Sequence, residues 1–343
     1  MWYVGLDIHQ KRSSICILSE HGERVRAQTV IGPWVKLFEA LKAIEQPFAA
    51  CFEASIGYGY LYEQIGGIAR SVTVAHPGQL RLIFRSKKKN DRVDAEKLAK
   101  LLYLDEVPTV HVPSLEVRSW RSIVEHRQRL VAKRTRCKNS LRALLKSHGI
   151  VPPKGLWSRR GLAWLNTLEL PTDADRLRRD LSLEELREFT AKIARVELHL
   201  GADASRHPGV ALLQTIPGVG VRTASAVAAY IDDPRRFRHN RAIGRYFGVI
   251  PSQDASGSVN RLGHISHEGP STVRHLITEA AWHGTRLSPT IRAHFERIMQ
   301  GNPERRKIAL VATGHYLLRV MHAMLRDGTP WQESIVAAES AAA

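Results

Sequence analysis

Alternating and clustered apolar residues in the first hundred positions predict short strands separated by turns and helices. Strands are predicted at 2–8, 13–19, 24–30, 48–53 and 71–75. The turn at His21-Gly22 joins the second strand to the third, so the first three strands form an antiparallel meander. One helix begins after Gly32-Pro33, and others are expected over 58–68 and 92–104.

The order of these elements, β-β-β-α-β-α-β-α, is that of an α/β ribonuclease-H-like domain, which we place at residues 1–110. A long helical segment follows at about 114–148. Apolar residues recur in it every seven positions, at Ile123, Leu130, Cys137 and Leu144. This coiled-coil-like stripe predicts pairing with another helix, either the returning helix expected over 182–200 or a second copy of the chain.

Residues 111–205 therefore form a central helical segment. Basic residues between its heptad positions, including Lys133 and Arg134, suit a helix that follows a phosphate backbone, although one solvated basic face is the plainer interpretation. A third, mainly α-helical domain is expected at 206–335. It opens with a helix, a Pro-Gly-x-Gly turn and a second helix, which predicts a helix-hairpin-helix that binds phosphate near Gly218 and Gly220. A dinucleotide site is disfavoured there because no strand precedes the turn.

The net charge of the chain indicates a nucleic-acid partner. The 343 residues include 51 Lys and Arg against 33 Asp and Glu, a net charge of +18. Such a balance favours a polyanionic partner, and a basic membrane-surface protein is the rival. The sequence predicts neither a membrane-spanning run nor a signal peptide. Three scattered cysteines without a Cys-x-x-Cys pair indicate a reducing cytoplasm and no structural zinc.

Four carboxylates supply the candidate chemistry. Asp7 lies in the first strand, Glu53 ends the neighbouring strand, and Asp91 and Asp94 share one face at the start of a helix. A charge inside a central strand is costly unless it is paired or bound to metal, so together they predict a site for Mg²⁺ or Mn²⁺. Alone, the aspartate pair would be read as helix capping.

Basic residues precede and interrupt the aspartate pair. The candidates for contacts with the nucleic-acid backbone are Arg85, Lys87, Lys88, Lys89 and Arg92. Arg92 lies between the two aspartates, where it could also balance their charge.

With these motifs in order, the chain resembles the DEDD transposases of insertion sequences, which have a RuvC-like N-terminal domain and are related to certain site-specific DNA invertases. The matching segments are Gly5-Leu6-Asp7-Ile8-His9, Phe52-Glu53-Ala54-Ser55, Asn90-Asp91-Arg92-Val93-Asp94-Ala95, Ile216-Pro217-Gly218-Val219-Gly220, Phe247-Gly248-Val249-Ile250-Pro251, Ala255-Ser256-Gly257-Ser258 and Ile265-Ser266-His267-Glu268-Gly269.

This resemblance implies that Asp7, Glu53, Asp91 and Asp94 are the metal-binding tetrad and that Ser256 is the nucleophile. It further implies recombination of donor and target DNA guided by a structured RNA, and homodimers that join into a tetramer. The protein is then expected in the bacterial cytoplasm, associated with the nucleoid. Arg261, near the serine, is a candidate phosphate contact.

Two other functions remain open from the residues. A structure-selective DNA nuclease, similar to a junction resolvase, would use water as the nucleophile and leave Ser256 structural. A non-catalytic nucleic-acid-binding protein would tolerate Asp7→Asn. A serine in a Ser-Gly-Ser tripeptide is more commonly part of an ordinary turn, and a serine hydroxyl needs activation by a base or a metal.

Overall fold

The computed structural model describes residues 1–83, 90–256 and 259–333. The chain separates into two units, Met1–Leu115 and Glu116–Ala343. Each unit has its own hydrophobic core. The basic candidates Arg85, Lys87, Lys88 and Lys89 lie outside the described residues.

The first unit is built on a five-stranded sheet. Its strands are β1 (Trp2–Ile8), β2 (Arg12–Leu18), β3 (Arg24–Ile31), β4 (Phe48–Glu53) and β5 (Ser71–Ala75). They lie in the order β3-β2-β1-β4-β5. β1 and β2 pair antiparallel, as do β2 and β3, whereas β4 is parallel to both β1 and β5. The predicted mixed α/β domain is therefore confirmed at this level.

Helices cover both faces of the sheet. They are α1 (Trp34–Lys42), α2 (Tyr58–Gly66), α3 (Pro77–Ile83) and α4 (Asp91–Tyr103). Val4 and Leu6 of β1 belong to the core that α1 and α2 complete with residues such as Leu41 and Leu61. The other face of β1 receives α4. Because side chains alternate along a strand, Gly5 and Asp7 point toward that second face.

The second unit is mainly helical, as predicted, and contains one two-stranded sheet. Its helices are α5 (Leu115–Ser147), α6 (Arg159–Thr167), α7 (Asp173–Arg206), α8 (Pro208–Leu213), α9 (Val221–Ile231), α10 (Arg241–Tyr246), α11 (Ser271–Leu287), α12 (Pro289–Met299) and α13 (Arg306–Asp327). Strands β6 (Pro251–Ser256) and β7 (Val259–Ile265) pair antiparallel between α10 and α11.

The long helix α5 pairs with α7 of the same chain. Leu141 and Leu145 share a core cluster with Leu183 and Leu186. Three polar contacts fix the antiparallel register: Arg127 Nη2 to Glu197 Oε1 at 2.7 Å, Cys137 Sγ to Glu185 Oε2 at 3.1 Å, and His148 Nε2 to Asp175 Oδ2 at 3.1 Å. The heptad stripe thus has a partner within the chain.

The C-terminal core surrounds α9, α11 and α13. Small residues on α9 let these helices approach closely, and Leu317, Leu318 and Met321 of α13 are fully buried. Among the described residues, the helix Pro303–Asp327 is long and apolar enough to span a membrane by length and composition alone, unlike the sequence expectation. Of its apolar window, 44% is buried within the protein, and one helix of this kind is weak evidence for a membrane span.

Candidate functional site

Strand pairing brings Asp7 beside Glu53. β1 and β4 run parallel with Leu6 opposite Phe52, so Asp7 and Glu53 follow as the next residues at the same edge of the sheet. The Asp7 side chain is 22% exposed to solvent, whereas Glu53 is exposed. Both carboxylates therefore lie where the carboxyl ends of two central strands meet.

The N-terminus of α4 brings Asp91 and Asp94 to the same face. A Cβ atom added to Gly5 would lie 2.0 Å from Ala95 O, which shows how closely α4 approaches β1. Asn90 caps this helix, since its side chain accepts a hydrogen bond from Arg92 N–H at 3.1 Å. Capping is thus performed by Asn90, and the two aspartate side chains are not needed for it.

Asp7 is the electrostatic centre of this group. Burial raises the pKa of its carboxyl above the usual value, His9 opposes that rise, and the negative charges of Asp91, Asp94 and Glu53 add to it. An aspartate that is both desolvated and surrounded by like charges attracts a cation. The four carboxylates of the sequence prediction therefore influence one another in the folded chain.

A histidine completes the closest part of the cluster. One ligand atom each of Asp7, His9 and Asp91 lies within 4.8 Å of the others, the one such group in the part of the chain that the structure describes. His9 Nε2 lies 3.5 Å from Asp7 Oδ2. Carboxylate oxygens with one imidazole nitrogen form a donor set that fits a divalent cation.

Nearby cations pair with the two helix aspartates. Arg12 Nη2 lies 3.3 Å from Asp91 Oδ2, and Lys97 Nζ lies 3.1 Å from Asp94 Oδ1. Arg92, expected between the aspartates, instead donates its Nε–H to Thr29 Oγ1 on β3 at 3.2 Å. Arg12 and Lys97 therefore supply the ion pairs that the sequence interpretation assigned to Arg92.

Ser256 ends strand β6, and its backbone pairs with that of Val259 on β7. The sequence suggested a loop here, whereas the structure places the serine in a β-hairpin. Arg274 braces the base of this hairpin by donating hydrogen bonds to Phe247 O at 3.2 Å and Gly269 O at 3.1 Å. Arg261 is exposed on β7, opposite Asp254.

The remaining nucleic-acid candidates have mixed surroundings. Lys133 is exposed on α5, where its Nζ lies 5.9 Å from the ring centre of Phe189, and Arg134 is half-buried. Gly218 has a positive φ of 89°, and a Cβ there would lie 2.6 Å from Gly284 N. Packing against α11 therefore explains this glycine without a phosphate. Gly220 caps α9 and has open space around it.

Sequence reasoning missed His9, Arg12 and Lys97 as neighbours of the carboxylates. His9 was visible as part of a motif two residues after Asp7, but its side-chain position depends on how the chain turns after β1. Arg12 approaches Asp91 only once β2 and α4 are packed on the sheet. Lys97 lies three residues after Asp94 on the same helix, so this pair could have been found from the helical spacing.

Two family models match separate parts of the chain. A family model for the DEDD transposase domain of IS110, described as "Transposase", matches residues 4–150, and the model "Transposase IS116/IS110/IS902 family" matches residues 210–296.

Individual relatives match across both units. A protein of Pseudomonas aeruginosa described as "Probable family 20 transposase" is 29% identical over 82% of this chain and 85% of its own. The transposase for insertion sequence element IS1111A of Coxiella burnetii is 27% identical over 81% of this chain and 76% of its own. The transposase for IS1328 of Yersinia enterocolitica is 25% identical over 81% and 82%.

Proposed function

Because the chain belongs to the IS110/IS116/IS902 family of insertion-sequence transposases, we propose that it cuts and rejoins DNA with a covalent serine intermediate. The metal-binding residues in this proposal are Asp7, Glu53, Asp91 and Asp94, and the nucleophile is Ser256. Transposases act on DNA, and the DEDD domain indicates use of a divalent metal.

The carboxylate cluster is the observation that carries the proposal. Asp7 and Glu53 lie at the ends of neighbouring strands. A ligand atom of Asp91 lies within 4.8 Å of one of Asp7 on the face covered by α4. The strand order and this placement of acidic residues support a RuvC-like fold for the first unit. A divalent ion, Mg²⁺ or Mn²⁺, would supply Lewis acidity to the phosphodiester.

The chain's own residues then have separate tasks. The tetrad would hold the cation. The Ser256 hydroxyl loses its proton and forms a bond to phosphorus, while the bond from phosphorus to a deoxyribose oxygen breaks and that oxygen takes up a proton to leave as a hydroxyl. The serine hydroxyl is a weak nucleophile at its ordinary pKa and needs activation. Rejoining reverses the step, because the phosphoserine ester retains the bond energy. We also propose that Arg261 and the basic segment from Arg85 to Arg92 contact the DNA backbone, as do Lys133, Arg134 and the Gly218–Gly220 turn.

Guidance by an element-encoded RNA and assembly of dimers into a tetramer remain part of the proposal, as does a bacterial cytoplasmic location at the nucleoid. The net charge of +18 supports association with nucleic acid. We further propose three functional segments, 1–110, 111–205 and 206–335. Leu130, Cys137 and Leu144 of the heptad stripe are buried, and Cys137 Sγ contacts Glu185 of α7, so a dimer would use another face of this helical hairpin.

A metal-dependent, structure-selective nuclease is the second candidate. The observation in its favour is that the carboxylate cluster lies wholly within Met1–Leu115. Hydrolysis by water would require only this unit and would give Ser256 no chemical role.

A covalent-adduct assay separates the two functions. The gene would be expressed with its native flanking DNA, cells denatured in detergent, and DNA attached to the protein measured for wild type, Ser256→Ala and Asp7→Asn. We expect an adduct in wild type and none in either variant. Ser252→Ala is the matched control, since Ser252 lies on the same strand and its hydroxyl donates to His264 O at 3.1 Å.

Metal-dependent cutting without an adduct, unchanged by Ser256→Ala, would reject the serine mechanism and favour the nuclease. Full function of Asp7→Asn would reject both.

A further inference from the structure

The side chain of His9 lies beside the acidic cluster. Its Nε2 atom lies 3.5 Å from Asp7 Oδ2, and both share a 4.8 Å group with a carboxylate oxygen of Asp91. Ligand atoms bound to one ion at about 2.0–2.2 Å lie roughly 3–4 Å apart. The three donors are therefore close to the spacing that one cation requires.

The backbone of His9 is held in place from both sides. Its N–H donates to Arg12 O at 2.9 Å, and its C=O accepts a hydrogen bond from Trp34 Nε1 at 3.1 Å. The Trp34 ring is itself fixed, because it stacks on Tyr60 at 5.9 Å and lies against Gly57. A Cβ atom at Gly57 would lie 2.7 Å from the Trp34 ring. The imidazole of His9 thus lies on a turn whose backbone is held by hydrogen bonds.

The buried hydroxyl of Ser14 lies on the same face of the sheet as Asp7. Ser14 pairs directly with Asp7 on the neighbouring strand, so the two side chains lie on one face of the sheet. That face is the one covered by α4, since Cys16, two residues later, packs against Ala95 and Ala99. Ser14 is 1% exposed, and among the described residues its Oγ has no hydrogen-bond partner.

Buried polar atoms nearly always find a partner, so an unpaired hydroxyl beside Asp7 points to a polar species that fills this space. A hydrated cation satisfies it, because a water of the hydration shell offers both a donor and an acceptor. This observation is independent of the distances among Asp7, His9 and Asp91.

From these two observations we infer that His9 is a direct ligand of the divalent cation together with Asp7 and Asp91, and that its nitrogen makes the centre select Mn²⁺ over Mg²⁺. The inference rests on the proposed function for the existence of a metal at this cluster. Imidazole favours transition metals, whereas all-oxygen sites suit Mg²⁺. Ser14 acts as a positioning residue that hydrogen-bonds to the hydration shell and orients Asp7.

Metal binding by the full-length protein tests this selectivity. The metal-free chain would be titrated with Mn²⁺ while the free-ion electron paramagnetic resonance signal is recorded, and then with Mg²⁺ in competition. We expect His9→Ala to weaken Mn²⁺ binding about tenfold or more and to leave Mg²⁺ binding within about twofold. His21→Ala is the matched control, since that histidine is also exposed and lies beside an acidic residue, Glu20.

A spectroscopic measurement detects the bond itself. Electron spin-echo modulation of the Mn²⁺-bound wild type should show a directly coordinated ¹⁴N nucleus, and this modulation should vanish in His9→Ala and persist in His21→Ala. Ser14→Ala should retain the nitrogen signal while weakening Mn²⁺ and Mg²⁺ alike. Thermal melting of each variant confirms that the chain remains folded.

The outcomes separate this inference from the metal site itself. If Asp7→Asn abolishes binding of both metals but His9→Ala changes neither, or the nitrogen modulation is absent from wild type, His9 is not a ligand and the proposed metal centre stands. If neither metal binds to wild type, or binding survives Asp7→Asn, the centre is wrong and the inference falls with it.

Discussion

Gly5 allows the helix that holds Asp91 and Asp94 to lie directly on the strand that holds Asp7. A Cβ atom at this position would lie 2.0 Å from Ala95 O and 2.4 Å from Ala99 N, both on the backbone of α4. Backbone atoms cannot rotate away as a flexible side chain can. Any larger residue at position 5 must therefore push α4 off the sheet and separate the two halves of the cluster.

We expect Gly5→Ala to lower the free energy of unfolding by about 1–3 kcal/mol, the usual range for overpacking a core, and to weaken metal binding. Urea denaturation and Mn²⁺ titration measure the two effects. Gly66→Ala is the control, because no atom lies within 4 Å of a Cβ there and alanine favours the helix. A Gly5→Ala protein as stable as wild type would contradict the close approach.

At this scale the sequence identified four acidic candidates, whose role as metal ligands stays a prediction, but not the residues that lie beside them. Asp7 was identifiable because a charge inside a central strand is costly unless it is paired or bound to metal. Glu53, Asp91 and Asp94 were selected with it from the order of the predicted elements. Ser14 was not, because its relation to Asp7 depends on the strand register. The role of Ser256 came only from the family resemblance, and it stays a prediction.

The antiparallel pairing of α5 with α7 is organised around a half-buried ion pair. Arg127 is 7% exposed, and its Nε and Nη2 atoms both donate to Glu197 Oε1, at 3.0 and 2.7 Å. Glu197 is 38% exposed and also lies 3.7 Å from Arg222. Removing the carboxylate would leave the guanidinium of Arg127 buried without its main acceptor.

We therefore expect Glu197→Ala to destabilise the protein by about 1–2 kcal/mol, less than a fully buried pair would because water reaches Glu197. Chemical denaturation measures the change. Glu188→Ala on the same helix removes an exposed pair with Lys192 and should cost no more than about 0.5 kcal/mol. Equal losses for both variants would show that burial of Arg127 does not matter.

Elements with strong periodicity were predicted, and weakly patterned ones were not. The five strands of the first unit and the long helix α5 have clear apolar spacing. The helix expected over 182–200 begins instead at Asp173, because its polar first turns are held by the Thr172 cap and by Asp175. Strands β6 and β7 were missed, since Pro-Ser-Gln-Asp-Ala-Ser lacks the alternation that a half-buried strand produces.

At the scale of the whole chain, the division at Leu115 places the proposed metal centre and Ser256 in different units. The first unit contains its own sheet, and a core of residues such as Val4, Leu6 and Phe52. Val110 and Val112 pack against that core, which explains why the unit extends slightly beyond the predicted boundary at 110.

We expect a fragment of residues 1–115 to unfold in one cooperative transition and to bind Mn²⁺ within about threefold of the full-length affinity, because every proposed ligand and a sheet-based core lie inside it. Circular dichroism and Mn²⁺ titration measure the two properties, with Asp7→Asn in the same fragment as the control for specific binding. The fragment should form no covalent adduct with DNA, since it lacks Ser256. A folded fragment that fails to bind metal would mean that the second unit completes the proposed metal centre. A fragment that does not fold would mean that the sheet depends on α5 and the helices beyond it.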